Sequence, residues 1–242
     1  MDLYTLQSFA RPQLPVAMLT LALDTALQAC SIAILRGKDV AVENFNLLEK
    51  GHAEVLPPMV ARGLEQAGIG AAQLDRIVVT IGPGGFTGIR VGLAFARALG
   101  IGTSARVVGI NSLSALRASH IHQGPCACVI NARRGEVFAA LYSPEGEVII
   151  PPFAATPEDA LSRLHTAFGD TPLQLIGDGA PLLPTHPNNW TTDSPDAQIC
   201  PVALAHLGQN VDPQKNPPDP IYLRAPDAKK SAAPLFAGLI KQ

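Results

Sequence analysis

A strand, a glycine-rich turn and a helix follow one another between Val78 and Gly100, and this stretch constrains the fold more than any other. The β-branched run over residues 77–81 is typical of a buried core strand. The sequence Gly82-Pro-Gly-Gly that follows it favours a turn with positive φ angles or close backbone approach. After Thr87, which we expect to cap the helix, only glycine interrupts helical residues until Thr103. We therefore predict a core strand that leads directly into a helix.

Small residues recur at every fourth position of this helix, at Gly88, Gly92, Ala96 and Gly100. Each interior glycine costs about 0.5–1 kcal/mol relative to alanine, so the ridge requires a compensating contact with another backbone. Two alternatives remain open. The ridge packs against the sheet of its own chain, or it packs against a helix of a partner.

The glycine turn also raises the possibility of phosphate binding, because backbone N–H groups at a helix N-terminus attract anions. The turn lacks the Lys-Ser/Thr pair of a P-loop, and Pro83 and Phe86 separate its glycines. A joint between strand and helix is therefore the favoured interpretation, with phosphate binding as the alternative.

The composition indicates one large α/β domain or two lobes, because 47% of the 242 residues are hydrophobic and 16% are charged. The net charge is −2 and the basic residues are dispersed, which argues against tight RNA binding by this chain alone. The residues most suited to a small RNA contact are Arg133, Arg134, Lys229 and Lys230.

The four cysteines show neither metal-site nor disulfide spacing. No apolar run approaches the length of a membrane span, and Asp24 interrupts the apolar segment near the N-terminus. We therefore expect no membrane segment and a cytoplasmic protein.

The first half of the chain predicts the order βββαβαβα, beginning with a three-stranded antiparallel meander. Because Pro57 and Pro58 suit only a first turn, we expect the first helix to start near Leu56. His52 is then a loop or capping residue. The predicted strands are 16–23, 30–35, 40–47, 77–81 and 107–110, and the predicted helices are 56–68, 87–100 and 112–118.

The second half predicts a repeat of the meander, followed by a helix that Thr156 caps. Residues 181–198 are rich in proline and polar residues, and we expect a loop with a short turn of helix there. The predicted strands are 126–131, 136–142, 147–150 and 173–176, and the predicted helices are 156–168 and 201–209.

The predicted fold class is α/β, with two lobes of the actin-like ATPase (RNase H-like) type, each a mixed sheet that starts with the meander. This order of elements resembles the repeating lobe of actin, sugar kinases and heat-shock ATPases, and a shared fold alone does not define a function. The predicted parts are an extension over 1–15, a first lobe over 16–119, a second lobe over 120–212 and a proline-rich tail over 213–242.

Six separate segments, in the same order, resemble the TsaB (YeaZ) family. The segment with Phe86-Thr-Gly and Arg90 is the most specific of them. The matching segments are Leu21-Ala-Leu-Asp-Thr-Ala with Cys30-Ser-Ile-Ala-Ile, His52-Ala-Glu with Leu56-Pro, Gly82-Pro-Gly-Gly-Phe-Thr-Gly-Ile-Arg-Val-Gly, Ser112-Leu with Ala115-Leu, Asn131-Ala-Arg-Arg-Gly-Glu-Val-Phe, and Tyr222-Leu-Arg-Ala-Pro-Asp.

The resemblance implies a noncatalytic partner of the enzyme TsaD in making threonylcarbamoyladenosine in tRNA, at the adenosine next to the anticodon. It also implies association with the ATPase TsaE, homodimers made through the first lobe, and contact with tRNA only through the complex. The expected partner-binding residues lie on the first two helices and are Met59, Gly88, Gly92, Phe95 and Ala96.

TsaD-type enzymes carry an H-x-x-x-H metal pair after the strand that corresponds to residues 107–110. The matching positions here are Ser112 and Leu116, which cannot hold a divalent metal. The chain also departs from the TsaB pattern at four positions, where it has Ala53, Gly85, Asn131 and Phe138. We expect no catalytic residue, no metal and no cofactor.

The alternative function is an ATP-dependent enzyme of the actin and sugar-kinase fold that acts through Asp24 and the glycine turn 82–88. The residues that would contact a nucleotide are then Asp24, Gly84 and Gly85, with Asp178 as the second carboxylate. A peptidase finds no support, because the sequence has neither a nucleophile elbow nor an HExxH pair.

Overall fold

The structure is a computed structural model that describes residues 17–120, 124–194 and 198–224. Two predicted features, the extension over 1–15 and the pair Lys229 and Lys230, lie outside the described residues. The described strands form two sheets of five strands each, which confirms the predicted two-lobed α/β class.

The first sheet contains β1 (Leu19–Asp24), β2 (Ala29–Arg36), β3 (Asp39–Leu47), β4 (Arg76–Thr80) and β5 (Arg106–Ile110). Its spatial order is β3-β2-β1-β4-β5. Strands β1, β2 and β3 form the predicted antiparallel meander, and β4 and β5 extend the sheet in parallel from β1.

The second sheet contains β6 (Cys126–Arg133), β7 (Glu136–Tyr142), β8 (Val148–Ala155), β9 (Leu173–Ile176) and β10 (Trp190–Ser194). Its spatial order, β8-β7-β6-β9-β10, repeats that of the first sheet. The meander is again antiparallel, and β9 and β10 again add in parallel.

The helices and sheets form five layers. The helices are α1 (His52–Gln66), α2 (Phe86–Thr103), α3 (Ser112–Ala118), α4 (Pro157–Phe168) and α5 (Pro201–Gln209). Helices α1 and α2 cover the outer face of the first sheet, and α4 covers the outer face of the second. Helices α3 and α5 lie between the two sheets and share one apolar core with both.

Strand β1 shows why the sequence produces this layering. Leu19, Leu21 and Leu23 pack in the core beneath α1 and α2, whereas Ala22 faces the core between the sheets. Every residue of β1 is buried. A strand covered on both faces has a nearly continuous apolar sequence, which is the pattern observed here.

Helix α5 and the described residues after it pack on the first lobe, although residues 120–212 were predicted as the second lobe and 213–242 as a tail. Helix α5 packs on the first sheet, where Arg76 donates hydrogen bonds to the carbonyl oxygens of Gly208, Gln209 and Val211 at 2.7–3.0 Å. We call residues 213–224 the C-terminal strap. It binds the first lobe through backbone bonds, including one of 2.8 Å from the N–H of Ile221 to the oxygen of Ile81.

The predicted start of the first helix, near Leu56, was wrong. Helix α1 begins at His52 and contains Pro57 and Pro58 in its interior. Both prolines are exposed, as are Ala53 and Glu54. The carbonyl groups of these two residues would have accepted the bonds that the prolines cannot donate, so water can bind them instead.

Two other local predictions were also wrong. Helix α2 is capped by Gly85 without a side-chain hydrogen bond, so Thr87 is not its cap. The segment 181–198 includes β10, which was predicted as loop. Only Trp190 at its start shows a strong apolar signal, and the strand forms because it pairs in parallel with β9.

The small residues of α2 pack against the chain's own sheet. A Cβ atom added at Gly88 would overlap the carbonyl oxygen of Thr25, and one added at Gly100 would overlap the side chain of Val107. Gly92 and Ala96 are buried on the same face. The predicted partner contacts of Gly88, Gly92 and Ala96 were therefore wrong, because the first sheet already occupies this face.

We expect Gly88→Ala to lower the free energy of unfolding by about 1–3 kcal/mol, because backbone atoms of Thr25 occupy the space of the new methyl group. Gly102→Ala is the matched control in the same helix. A Cβ at this position would meet nothing within 4 Å, so the free energy of unfolding should rise by up to about 1 kcal/mol. Urea denaturation of both variants measures these changes, and equal effects would contradict the close contact.

Candidate functional site

A cavity of about 810 Å³ lies between the two lobes. The first lobe lines it with the β1–β2 hairpin and the N-terminal ends of α1 and α2, and the second lobe with the β6–β7 hairpin. Its charged and polar lining side chains are Thr25, Gln28, Glu49, Lys50, His52, Glu54, Thr87, Asn131, Arg133, Arg134, Asp178, Gln198 and Arg224.

The glycine turn forms the joint between β4 and α2 and borders this cavity. Gly85 donates its N–H to the carbonyl oxygen of Ala26 at 2.8 Å, and a Cβ on Gly84 would overlap the same oxygen. Glycine is thus required for the turn to lie against the β1–β2 hairpin. Both glycines line the cavity, and their role as cofactor contacts stays a prediction.

Asp24, the third predicted cofactor contact, is fully buried and is not among the residues that line the cavity. Its Oδ1 accepts hydrogen bonds from Thr80 Oγ1 at 2.6 Å and from the N–H of Ala26 at 3.0 Å. Oδ2 has no hydrogen-bond partner among the described residues. Burial raises the pKa of this carboxyl group to about 6. Asp24 therefore holds the end of β1 to β4 and does not face a ligand.

His52 is the first residue of α1 and lines the cavity, although only 9% of its surface is exposed. Its Nε2 is buried, and no described residue forms a hydrogen bond with it. The expected loop or capping role does not describe this position. Sequence periodicity did not predict a helical position for His52, because Pro57 and Pro58 indicated that the helix starts near Leu56.

Asp178 lines the cavity from the second lobe. Its Oδ1 accepts a hydrogen bond of 2.8 Å from the N–H of Asn131, and burial raises the pKa of its carboxyl group. Because Asp24 does not reach the cavity, the two carboxylates proposed for a nucleotide site are not brought together there. Within residues 17–120, 124–194 and 198–224, no group of three or more His, Cys, Asp or Glu residues could hold a metal ion.

Arg224 at the end of the C-terminal strap is a cavity residue that the sequence analysis did not single out. It forms an ion pair of 3.0 Å with Glu136 and donates to the carbonyl oxygen of Ala132 at 3.3 Å. The sequence signal that could have identified Arg224 is the segment Tyr222-Leu-Arg, one of the six that resemble the TsaB (YeaZ) family. Tyr222 contacts Phe86 at the start of α2, with 5.4 Å between ring centroids, so the strap connects both lobes beside the cavity.

The outer face of α2 carries small and apolar residues that the chain leaves partly or fully exposed. We call Val91, Ala94, Phe95 and Ala98 the α2 stripe, since their spacing places them on one side of the helix. Ala94 and Ala98 are exposed, whereas Val91 and Phe95 are half-buried. Met59 of α1 is 3% exposed and belongs to the core below. Of the predicted partner-binding residues, only Phe95 therefore remains available at the surface.

Comparisons with known proteins show which protein family the chain resembles. A family model described as TsaD, tRNA N6-adenosine threonylcarbamoyltransferase, matches residues 46–170. The structure superposes on YeaZ from Pseudomonas aeruginosa with a TM-score of 0.70 and 25% identity, covering 85% of this chain and 100% of that one. A second Pseudomonas aeruginosa structure, described as similar to peptidase YEAZ, gives the same TM-score at 26% identity, over 86% of this chain and 100% of that one.

Proteins of related sequence from Bacillus, Haemophilus and Mycobacterium show to which family the chain belongs. The tRNA threonylcarbamoyladenosine biosynthesis protein TsaB of Bacillus subtilis is 31% identical over 66% of this chain and 71% of its own length. The TsaB protein of Haemophilus influenzae is 34% identical over 60% and 67%. An uncharacterized Mycobacterium tuberculosis protein is 34% identical over 88% and 94%. The chain belongs to the TsaB (YeaZ) family.

Among the described residues, each helix is too short or too polar to cross a lipid bilayer.

We expect the stability of the protein to fall as the pH rises from about 4 to about 6. Over this range the unfolded Asp24 loses its proton while the folded, buried carboxyl group keeps it, because its pKa is raised to about 6. The loss amounts to about 3 kcal/mol or less and is complete near pH 6.

Asp24→Asn should lack this decline, since the amide does not titrate. Asp39→Asn, at an exposed position of the first lobe, is the control and should keep it. Chemical denaturation between pH 4 and 7 measures the difference between each variant and the wild type. If Asp24→Asn shows the same dependence of stability on pH as the wild type, the folded protein does not keep a proton on Asp24.

Proposed function

We propose that this protein is a noncatalytic partner of a TsaD-type enzyme in tRNA threonylcarbamoyladenosine biosynthesis. In this role it acts as a scaffold while the partner modifies the adenosine next to the anticodon. Membership in the TsaB family supports the pathway, because the relatives from Bacillus subtilis and Haemophilus influenzae carry this function in their names.

The α2 stripe is the observation that supports a scaffold. Exposed Ala94 and Ala98 leave the helix backbone accessible, with the half-buried rings and methyl groups of Phe95 and Val91 beside them. Ile101, one turn further along the helix, is 86% exposed. Small residues flanked by apolar ones allow a second helix to approach closely and bury apolar area. The proposed surface thus keeps only Phe95 of the predicted contacts and lies on the side of α2 away from the glycine ridge.

The surroundings of the catalytic positions support a noncatalytic role. Ser112 and Leu116 stand where the resemblance places the metal-binding histidines of TsaD-type enzymes, and both are fully buried in α3. Asp24 is also fully buried and binds Thr80. These side chains contribute to packing, and none of them faces the cavity.

The proposal includes the assembly in which the protein acts. TsaD binds the α2 stripe, and TsaE joins the complex. A second copy of this chain covers the same stripe when TsaD is absent. The complex operates in the cytoplasm, and TsaD holds the tRNA, since a chain with a net charge of −2 attracts little phosphate by itself.

The double variant Ala94→Arg, Ala98→Arg should abolish association with a TsaD enzyme and convert any homodimer to monomer. Two long cations at exposed positions prevent close helix approach without disturbing the core. Size-exclusion chromatography with light scattering measures association, and tRNA modification by the reconstituted proteins measures function.

Ala167→Arg is the control, because Ala167 is an exposed alanine on α4 of the second lobe. It should leave association and modification at the wild-type level. All variants should keep their unfolding free energy to within about 0.5 kcal/mol, as is usual for surface substitutions. Full modification activity with the double variant would refute the α2 stripe as the interface.

The alternative remains an ATP-dependent enzyme that uses the glycine turn, and the size of the cavity favours it. We expect no magnesium-dependent ATP binding at micromolar concentrations, because Asp24 lies outside the cavity and cannot coordinate the metal. Calorimetry with ATP, with and without magnesium, tests this on the isolated chain. Micromolar affinity that requires magnesium and is lost in Asp24→Asn would establish the alternative.

A further inference from the structure

We infer that the C-terminal strap is a releasable clasp that holds the β6–β7 hairpin of the second lobe beside the start of α2. Arg224 is the positioning residue that fastens this clasp, through its contacts with the hairpin. The inference concerns the isolated chain and does not depend on the proposed scaffold role.

Two glycines of the first lobe leave room for the backbone of the strap. A Cβ atom on Gly109 of β5 would lie 2.7 Å from the carbonyl oxygen of Pro217. A Cβ atom on Gly82, at the end of β4, would lie 2.8 Å from the carbonyl oxygen of Ile221. The N–H of Gly109 also donates to the carbonyl oxygen of Asn216 at 3.0 Å. Because only glycine allows such close approach, the ends of both strands are shaped to receive the strap.

Arginine side chains of α2 hold the middle of the strap. Arg97 forms an ion pair of 2.7 Å with Asp219. Arg90 donates from its Nε to the hydroxyl oxygen of Tyr222 at 3.2 Å, and its guanidinium carbon lies 3.7 Å from the ring centroid of Phe86. All of these side chains are exposed to solvent. Each contact therefore contributes little by itself and can be broken without loss of the fold.

Arg224 fastens the end of the strap to the second lobe. Its ion pair with Glu136 and its bond to the oxygen of Ala132 hold the first residue of β7 and the end of β6, which are the two sides of the hairpin. Both charged side chains are about one-third exposed. Leu223, the preceding residue, packs on the edge of the core between the sheets. The strap thus ends on the hairpin after it has crossed α2.

The strap can be released because it lies on the surface. Each of residues 213–224 is half-buried or exposed. A segment with few buried contacts opens at a much lower free energy than the whole protein unfolds. Helices α3 and α5 keep the two sheets together whether or not the strap is bound. Release therefore frees the hairpin and leaves both lobes folded.

The position of the strap connects two surfaces of the protein. At its end, Arg224 and the hairpin line the cavity between the lobes. In its middle, the strap holds Arg90 and Arg97, which lie four and three residues from Ala94 of the α2 stripe. Residues at these spacings are neighbours on a helix surface. One clasp thus fixes the hairpin at the cavity and the arginines beside the α2 stripe.

The test is hydrogen exchange of the isotope-labelled, full-length chain, followed by two-dimensional NMR. The N–H of Ile221, which binds Ile81, reports release of the strap, and the N–H of Val78 in the centre of the first sheet reports global unfolding. We expect Ile221 to exchange at least about a hundredfold faster than Val78. Low concentrations of urea should accelerate only Val78, because release of the strap exposes little surface.

Arg224→Gln should accelerate exchange at Ile221 about three- to tenfold, since the end of the strap loses its ion pair. The Nε–H signal of Arg90 should move towards its position in Tyr222→Phe, which lacks the acceptor hydroxyl. Arg36→Gln is the matched control, because Arg36 is an exposed arginine at the end of β2. It should change neither signal.

The exchanged pair Arg224→Glu with Glu136→Arg separates the ion pair from other roles of the two residues. Each single substitution should accelerate exchange at Ile221, and the double variant should return it to within about threefold of the wild type. The inference is overturned if Ile221 exchanges at the same rate and with the same urea dependence as Val78, since the strap would then leave only on unfolding. It is equally overturned if Arg224→Gln leaves Ile221 or Arg90 unchanged, or if the double variant shows no recovery.

Discussion

Helices α3 and α5 are packed between two sheets, and the position of almost every other element follows from this contact. Their apolar residues share one core with Ala22 and Val78 of the first sheet and with Cys128 and Ile130 of the second. Burial of apolar area is the main favourable term in folding, and here one buried layer serves both lobes. Each lobe also has a core of its own on the outer face of its sheet, so the shared layer joins two separately packed halves. The cavity opens where this layer ends and the hairpins and helix ends of both lobes meet.

Much of the fold could be predicted from the sequence, because most elements carry local signals. The bounds of α3, β9 and α5 match the prediction, and Thr156 caps α4 as its sequence indicates. The failures have nonlocal causes. Strand β10 forms through pairing with β9, and α1 continues through Pro57 and Pro58 because water can satisfy the freed carbonyl groups. Neither cause leaves a periodic pattern in the sequence.

The candidate site was harder to predict, since it depends on which face of each element is covered. The glycine ridge of α2 was compatible with a sheet or a partner, and only the contact of Gly88 with Thr25 decides between them. Asp24 looked like a ligand because it ends a strand beside a turn, yet its carboxyl group binds Thr80 and is hidden. His52 became relevant only when three-dimensional burial left its Nε2 without a partner.

The return of α5 and the C-terminal strap to the first lobe has a consequence for the order of events during synthesis. Domains usually fold from the N-terminus as the ribosome extends the chain. Here the inner face of the first sheet stays uncovered until α5 has been made, and Ile81 gains its strap partner only at Ile221. The nascent first lobe thus exposes apolar surface throughout translation of the second. Premature termination anywhere before the strap therefore leaves the first lobe incomplete.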